Sequence, residues 1–307
     1  MYKVLIIAGP TAVGKTNLSI KLAKQFNGEI ISGDSMQIYR NLNIGTAKVT
    51  EKEKQGIKHH LINIKNVEET YSASDFVSDA KKLIKEISNK NKLPIIVGGT
   101  GFYLQSLVDG FNFGAGSSVD NSLRTLMHKK AFKNGKYALW KELDLIDHDA
   151  AINIPVNNER RIIRALEFYK QTGEKFSAQS DSYDNEIDSY IIALNTNRAL
   201  LYDRINKRVD LMFDEGLLEE NKWLYQHGGL SLPACKGIGY KEFNEYFNGN
   251  MLISDVKDLI KKNSRHYAKR QLTWFRNKMD VTWYDILSDN HQIDAIKKDI
   301  IKWEKSY

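Results

Sequence analysis

Short apolar runs alternate with amphipathic stretches along the first hundred residues. Lys3–Ala8 is a β-rich apolar run and predicts a buried strand. Thr16–Phe26 places Leu18, Leu22, Ala23 and Phe26 at helical spacing. Glu29–Ser32 predicts a second short strand, ending in the sequence GDSMQ. Ala73–Ser88 carries Phe76, Val77, Ala80, Leu83, Ile84 and Ile87, the stripe of an amphipathic helix. Leu93–Val97 predicts a third strand, running into Gly98-Gly99-Thr100-Gly101. Strands alternating with helices predict an α/β fold with a parallel sheet flanked by helices. Ligands in such sheets bind at the carboxyl ends of the strands, where the loops at Gly9, Asp34 and Gly98 all lie.

The pattern changes at Gly114–Ser118, a small and polar stretch that predicts a domain boundary. From Asp120 to about Gly173 the spacing is mostly helical with no clear strand. A polar stretch, Ser177–Ser189, follows, and Tyr190–Leu194 predicts a strand returning to the sheet. The expected organisation is a core of residues 1–116 and 190–307 with a mostly helical insertion at 117–189. The final part is helical, with a late strand at Val281–Tyr284 and a basic helix.

Composition narrows the setting. The chain has 307 residues, 42% hydrophobic and 27% charged, enough for a large core. No apolar run reaches the roughly 18 residues of a membrane span, so no membrane role is expected. The N-terminal apolar stretch runs straight into a glycine-rich loop and reads as a first strand, not a signal peptide. One cysteine, Cys235, allows neither an internal disulfide nor a zinc cluster and fits a reducing cytoplasm. Nothing demands an oligomer, so a monomer is expected. The net charge of +7 matters mainly through where it lies.

The strongest local signal is GPTAVGKT: Gly9, Pro10, Thr11, Ala12, Val13, Gly14, Lys15 and Thr16. It fits the pattern G-x-x-x-x-G-K-[ST] between a strand and a helix. Backbone amides and a helix N-terminus there hold phosphate, Lys15 sits among its oxygens, and Thr16 would ligate Mg²⁺. Asp34-Ser35-Met36-Gln37 follows the second strand. Asp34 suits a general base, and equally a turn cap. Thr100 suits a phosphate donor, and its glycine neighbours suit either close ligand approach or an ordinary turn. Arg160 and Arg164 share a helix face next to Arg161, with Ile163 and Leu166 facing the core. Arg204 and Arg208 also share a face and suit either a departing diphosphate or salt bridges with Asp203, Asp210 or Asp214. Lys257, Lys261, Lys262, Arg265, His266, Lys269, Arg270 and Arg276 interleave with Tyr267, Trp274 and Phe275, which suits nucleic acid. Lys236, Gly237, Ile238, Gly239, Tyr240 and Lys241 form another basic loop. His59-His60 lacks a third ligand and makes a poor metal site. Cys235 has no assigned base and reads as packing.

Taken in order, these segments resemble the tRNA dimethylallyltransferases over nearly the whole chain. The likeness rests on GPTAVGKT, ISGDSMQIYRNLNIGTAK (31–48), HHLIN (59–63), YSASDF (71–76) and PIIVGGTGFYLQSL (94–107). It continues through RRIIRALE (160–167), RINKRVDLMFDEGLLEE (204–220), KGIGYKEF (236–243) and YAKRQLTWFRN (267–277). The resemblance implies transfer of a dimethylallyl group from dimethylallyl diphosphate to the exocyclic amine of the adenosine 3′ of the anticodon. Mg²⁺ assists and diphosphate leaves. It implies Asp34 as proton acceptor, Thr100 and Arg208 as diphosphate ligands, with Arg204 the alternative to Arg208, and Gly9–Thr16 as diphosphate holder. Ser35, Met36 and Gln37 would meet the target nucleotide. Arg160, Arg161, Arg164 and Lys236–Lys241 would grip the anticodon stem-loop. Departures from the family pattern are Val13 where Ser or Ala is frequent, Asn63 where Asp is expected, and Gly114–Ser118 in place of a proline-containing linker. A kinase with this phosphate loop and a non-enzymatic, nucleotide-switched RNA-binding protein are the competing readings. The kinase reading accounts for the phosphate loop but not for the basic C-terminal helix or the arginine run, and loss of transfer in Asp34→Ala with tRNA binding retained would separate catalysis from the RNA-binding reading.

Overall fold

The structure, a computed structural model, describes residues 1–111, 121–178 and 186–306. The expected boundary at Gly114–Ser118 and the segment 179–185 lie outside the described residues. The chain divides into two compact units, Met1–Asp109 with Asn185–Tyr307, and Gly110–Asp184.

The first unit is built on one six-stranded parallel sheet. Its strands are β1 (Tyr2–Ala8), β2 (Gly28–Ser32), β3 (His59–His60), β4 (Leu93–Gly98), β5 (Ile187–Leu194) and β6 (Thr282–Tyr284). The order is β3-β2-β4-β1-β5-β6. The central strand β1 pairs Leu5 with Ile95 on one side and Tyr190 on the other. Val4 to Ala8 are fully buried, as a parallel strand covered by helices on both faces requires. β5 starts at Ile187, so residues 187–189 belong to the sheet and not to the insertion. β3 has no counterpart in the expected elements. Two adjacent histidines carry no strand signal, and the pairing with Ile30 and Ile31 is a tertiary effect.

Helices cover the sheet where the sequence supplies a stripe and a cap. Ala73–Ser88 begins at Ser72, whose side chain accepts from the Asp75 amide while Asp75 accepts from the Ser72 amide. It buries Phe76, Val77, Ala80, Ile84 and Ile87. Lys15–Gln25, Gly101–Val108, Arg198–Asp214 and the long Ile253–Lys278 helix position the site residues.

The second unit is helical, with helices Asn121–Asn134, Lys136–Ile146, His148–Asn153 and Glu159–Thr172. Met127, Leu139, Leu143, Ile162, Ile163 and Leu166 form its core. Asn158 caps the last helix on the Arg161 amide, and Gly173 ends it in the left-handed region at φ 75°. A two-pronged Arg124–Glu167 pair at 2.8 and 2.7 Å and the buried Asp147 on the Ser177 amide at 2.7 Å tie it together.

Candidate active site

The loop after β1 has the backbone of an anion nest. Gly9, Ala12 and Gly14 take φ of 143°, 65° and 100°. The helix that follows has no side-chain cap at Gly14, so its first amides are left for an external acceptor. Lys15 folds back along the loop, its ammonium donating to the carbonyls of Gly9 at 2.9 Å and Pro10 at 2.7 Å. Burial pulls its pKa down to about 7, the charge of Arg208 adds to this, and Asp34 opposes it. Val13, a departure from the family pattern, is fully buried in the core under the sheet.

Both arginines of the Arg198–Asp214 helix reach this loop. Arg204 Nε donates to the Ala12 carbonyl at 2.8 Å and is exposed. Arg208 Nη1 donates to Thr11 Oγ1 at 3.3 Å and lies within electrostatic reach of Lys15 and Asp34. Neither is engaged by Asp203, Asp210 or Asp214. Asp203 pairs with Lys207, and Asp210 with Lys257 and Lys261.

Asp34 acts first as a turn cap. Its Oδ1 accepts from the Met36 amide at 2.8 Å and the Gln37 amide at 3.4 Å. Its contacts among the described residues fall on Oδ1, so Oδ2 is available to a proton. Thr100 precedes the Gly101–Val108 helix but does not cap it. Its Oγ1 instead accepts from the Ser35 amide at 3.2 Å and lies 3.4 Å from Ser35 Oγ. The loops after β2 and β4 are thereby joined at their tips. Tyr267 reaches Thr100 from the Ile253–Lys278 helix. Burial, with the nearby Asp34 charge, pushes its phenol up to about 12, so it stays protonated and a donor.

The glycines beside Thr100 answer to close packing. A Cβ on Gly99 would lie 2.1 Å from Gln271 Nε2, and one on Gly101 would lie 2.4 Å from the Trp274 ring. Gln271 was not foreseen as a site residue. The signal was present, because it is a polar residue in the buried stripe of Ala268 and Phe275.

Other expected site residues also have partners within the fold. Gln37 Nε2 donates to the Thr46 and Ala47 carbonyls, each at 3.3 Å, and Ser32 Oγ donates to its Oε1 at 3.4 Å. Met36 packs on Gly237. In the basic loop, Gly239 and Tyr240 are buried, and only Lys236 and Lys241 are exposed side chains, with Ile238 half-buried. The Tyr240 ring fills the space beside Gly45, and its hydroxyl donates to Glu220 at 2.7 Å. Glu220, also unforeseen, accepts the amides of Asn43, Ile44 and Gly45 at 2.6 to 2.9 Å. The buried Lys48 donates to Asn63 at 2.7 Å and to the Tyr39 carbonyl. Asn63 therefore serves as a neutral acceptor where the family pattern has Asp.

His60 Nε2 meets Glu29 at 2.7 Å, and no group of three potential ligands occurs among the described residues. Cys235 is buried in a hydrophobic cluster, and that burial pushes its thiol up.

The basic faces divide into engaged and free parts. Lys257 and Lys261 both pair with Asp210 at 2.7 Å, and Arg265 donates to Asn206 at 2.6 Å. Further along, His266, Lys269, Arg270, Trp274, Asn277 and Lys278 line a groove of about 580 Å³. In the helical unit Arg160 and Arg161 are exposed and Arg164 is half-buried. No ion pair engages them among the described residues. No described helix is long and apolar enough to cross a membrane.

The chain is similar to known proteins over nearly its whole length. The family model described as IPP transferase matches residues 37–278. The tRNA dimethylallyltransferase of Ligilactobacillus salivarius is 54% identical over 98% of this chain and 99% of its own length, so the likeness extends through the phosphate loop. The crystal structure of the tRNA isopentenylpyrophosphate transferase from Bacillus halodurans has a TM-score of 0.75 at 44% identity, covering 99% of this chain and 97% of that one. A eukaryotic dimethylallyltransferase, captured acting on tRNA, has a TM-score of 0.84 at 30% identity, covering 98% and 80%. Neither the kinase nor the RNA-switch reading finds support among these relatives. The chain belongs to the IPP transferase family, the family of the tRNA dimethylallyltransferases, and is a prenyl transferase with a phosphate-loop core.

Proposed function

We propose that this protein transfers a dimethylallyl group from dimethylallyl diphosphate to the exocyclic amine of the adenosine 3′ of the anticodon, in the cytoplasm. The observation that carries this reading is the gathering of Lys15, Arg208 and Asp34 where the loops after β1, β2 and β4 meet. Two cations with an amide nest suit a leaving diphosphate. A carboxylate with one oxygen held by the backbone suits a base aimed at an amine.

The nest, Lys15 and Arg208 hold the diphosphate, and Thr100 donates to it. Asp34 Oδ2 takes a proton from the adenine amine as its nitrogen attacks C1 of the allyl group. The C1–O bond breaks, and its electron pair departs with the diphosphate. The growing charge is met by Lys15, Arg208 and the loop amides, which are already oriented for it. The adenosine leaves the anticodon-loop stack to reach the donor. Ser35, Met36 and Gln37 shape the wall it meets. Arg160, Arg161, Arg164, Lys236 and Lys241 take the RNA backbone.

The residues fit Mg²⁺ arriving with the substrate. One hydroxyl, Thr16, at the loop's end and no acidic cluster among the described residues match an ion held mainly by phosphate oxygens and water. Such an ion, when bound, would neutralise charge on the leaving diphosphate.

The test is incubation with dimethylallyl diphosphate, Mg²⁺ and unmodified tRNA bearing adenosine after the anticodon, read by nucleoside mass spectrometry. The added mass of one dimethylallyl group on that adenosine is expected. Its absence, with tight ATP binding instead, would overturn the reading.

A further inference from the structure

Gln271 holds two loops that are far apart in sequence. Its Oε1 accepts the Thr11 amide at 3.2 Å, and its Nε2 donates to the Gly99 carbonyl at 2.8 Å. The side chain is buried, and both ends of its amide are used. Its helix neighbours on the same face continue the contact. Tyr267, one turn earlier, reaches Thr100, and Trp274, nearly one turn later, covers Gly101. Thr11 belongs to the nest and also carries the hydroxyl that Arg208 engages. Gly99 directly precedes Thr100.

We infer that Gln271 is a positioning residue, a clasp that fixes the distance between the Gly9–Thr16 loop and the Gly98–Gly101 loop and so sets affinity for the diphosphate. It touches no reacting atom. By taking the Thr11 amide it also decides which loop amides face the anion. An amide is the group suited to both ends, because it offers one acceptor and one donor at fixed separation. A carboxylate would oppose oxygen to the Gly99 carbonyl, and asparagine is one methylene too short to span both. The inference rests on the reading of the loop as a diphosphate holder.

The experiment uses the full-length chain with Gln271→Met, which keeps the volume and removes both hydrogen bonds, and with Gln271→Glu. Three quantities are measured: affinity for inorganic diphosphate with Mg²⁺, affinity for unmodified tRNA, and amide hydrogen exchange in the phosphate loop. Gln271→Met is expected to weaken diphosphate binding about tenfold, the effect of about one lost buried hydrogen bond. It should speed exchange at Thr11 and leave tRNA affinity within about twofold of the parent. Gln271→Glu should be weaker still. A folded Gln271→Met protein with parental diphosphate affinity and parental Thr11 exchange would overturn the clasp. Equal losses of tRNA and diphosphate affinity would also overturn it, since they mark general loosening. Faster exchange at Thr11 in a chain whose parent binds no inorganic diphosphate would overturn the diphosphate reading and, with it, the claim on affinity.

Discussion

Arg208 donates to the Thr11 hydroxyl at 3.3 Å across 197 positions of sequence, while Arg204, one turn earlier, donates to the Ala12 carbonyl. The two arginines therefore differ in kind. Arg208 lies within electrostatic reach of Lys15 and Asp34, and in the proposed reaction its charge would act where diphosphate charge grows. Arg204 braces the loop from an exposed position. Arg208→Ala is expected to lower the single-turnover transfer rate by about a hundredfold, the usual cost of removing one preorganised charge donor. Arg204→Ala should cost less than about tenfold. A larger loss for Arg204→Ala than for Arg208→Ala would reverse the assignment.

Lys15 predicts a pH dependence with a definite sign. Without ligand, burial first and Arg208 second hold its pKa near about 7. A bound diphosphate favours the charged form, so binding at pH 8 to 9 takes up a proton. Affinity for inorganic diphosphate should therefore fall as pH rises above about 7, approaching tenfold per unit. Lys15→Arg, charged throughout, should flatten the slope. Calorimetry in two buffers of different ionisation enthalpy measures the proton uptake. A parent protein with constant affinity from pH 7.5 to 9 would contradict this.

Glu29, buried on β2 next to the edge strand β3, offers a stability test away from the chemistry. Burial alone would raise its pKa, but hydrogen bonds from Lys92 at 2.8 Å and His60 at 2.7 Å outweigh it and hold the group at about 2. The folded value lies below the unfolded one, so the contribution is present above about pH 4.5 and is lost as pH falls towards 2. Glu29→Gln should cost about 3 kcal/mol at pH 7, with the difference closing in acid. Urea unfolding at pH 7 and pH 3 checks it. An unchanged gap between the two proteins would rule out the Lys92 and His60 hydrogen bonds as its source.

What could be read from the sequence was local. The phosphate loop announces itself within eight residues, because its glycines, lysine and flanking strand and helix act on one another. The Ala73–Ser88 helix could be bounded because both its cap, Ser72 with Asp75, and its apolar stripe lie within one segment. Gln271 was hidden because its partners lie 260 and 172 residues away. Tyr240 sits between lysines and looks like a surface residue, but Gly45 and Glu220 form a buried seat for it that no local pattern encodes. Gln37 suited a base contact by its chemistry. Only the fold shows its amide already engaged by the backbone at Thr46 and Ala47.

Asp34 carries the central claim, and its two oxygens separate its two roles. Asp34→Asn keeps an acceptor for the Met36 and Gln37 amides but cannot take the amine proton. The decisive measurement is single-turnover transfer by Asp34→Asn at saturating dimethylallyl diphosphate and tRNA, beside the binding of each substrate. The account predicts binding within about threefold of the parent and a transfer rate lower by at least about a hundredfold. Transfer at the parental rate would show that Asp34 only caps its turn and that the proton leaves by another route.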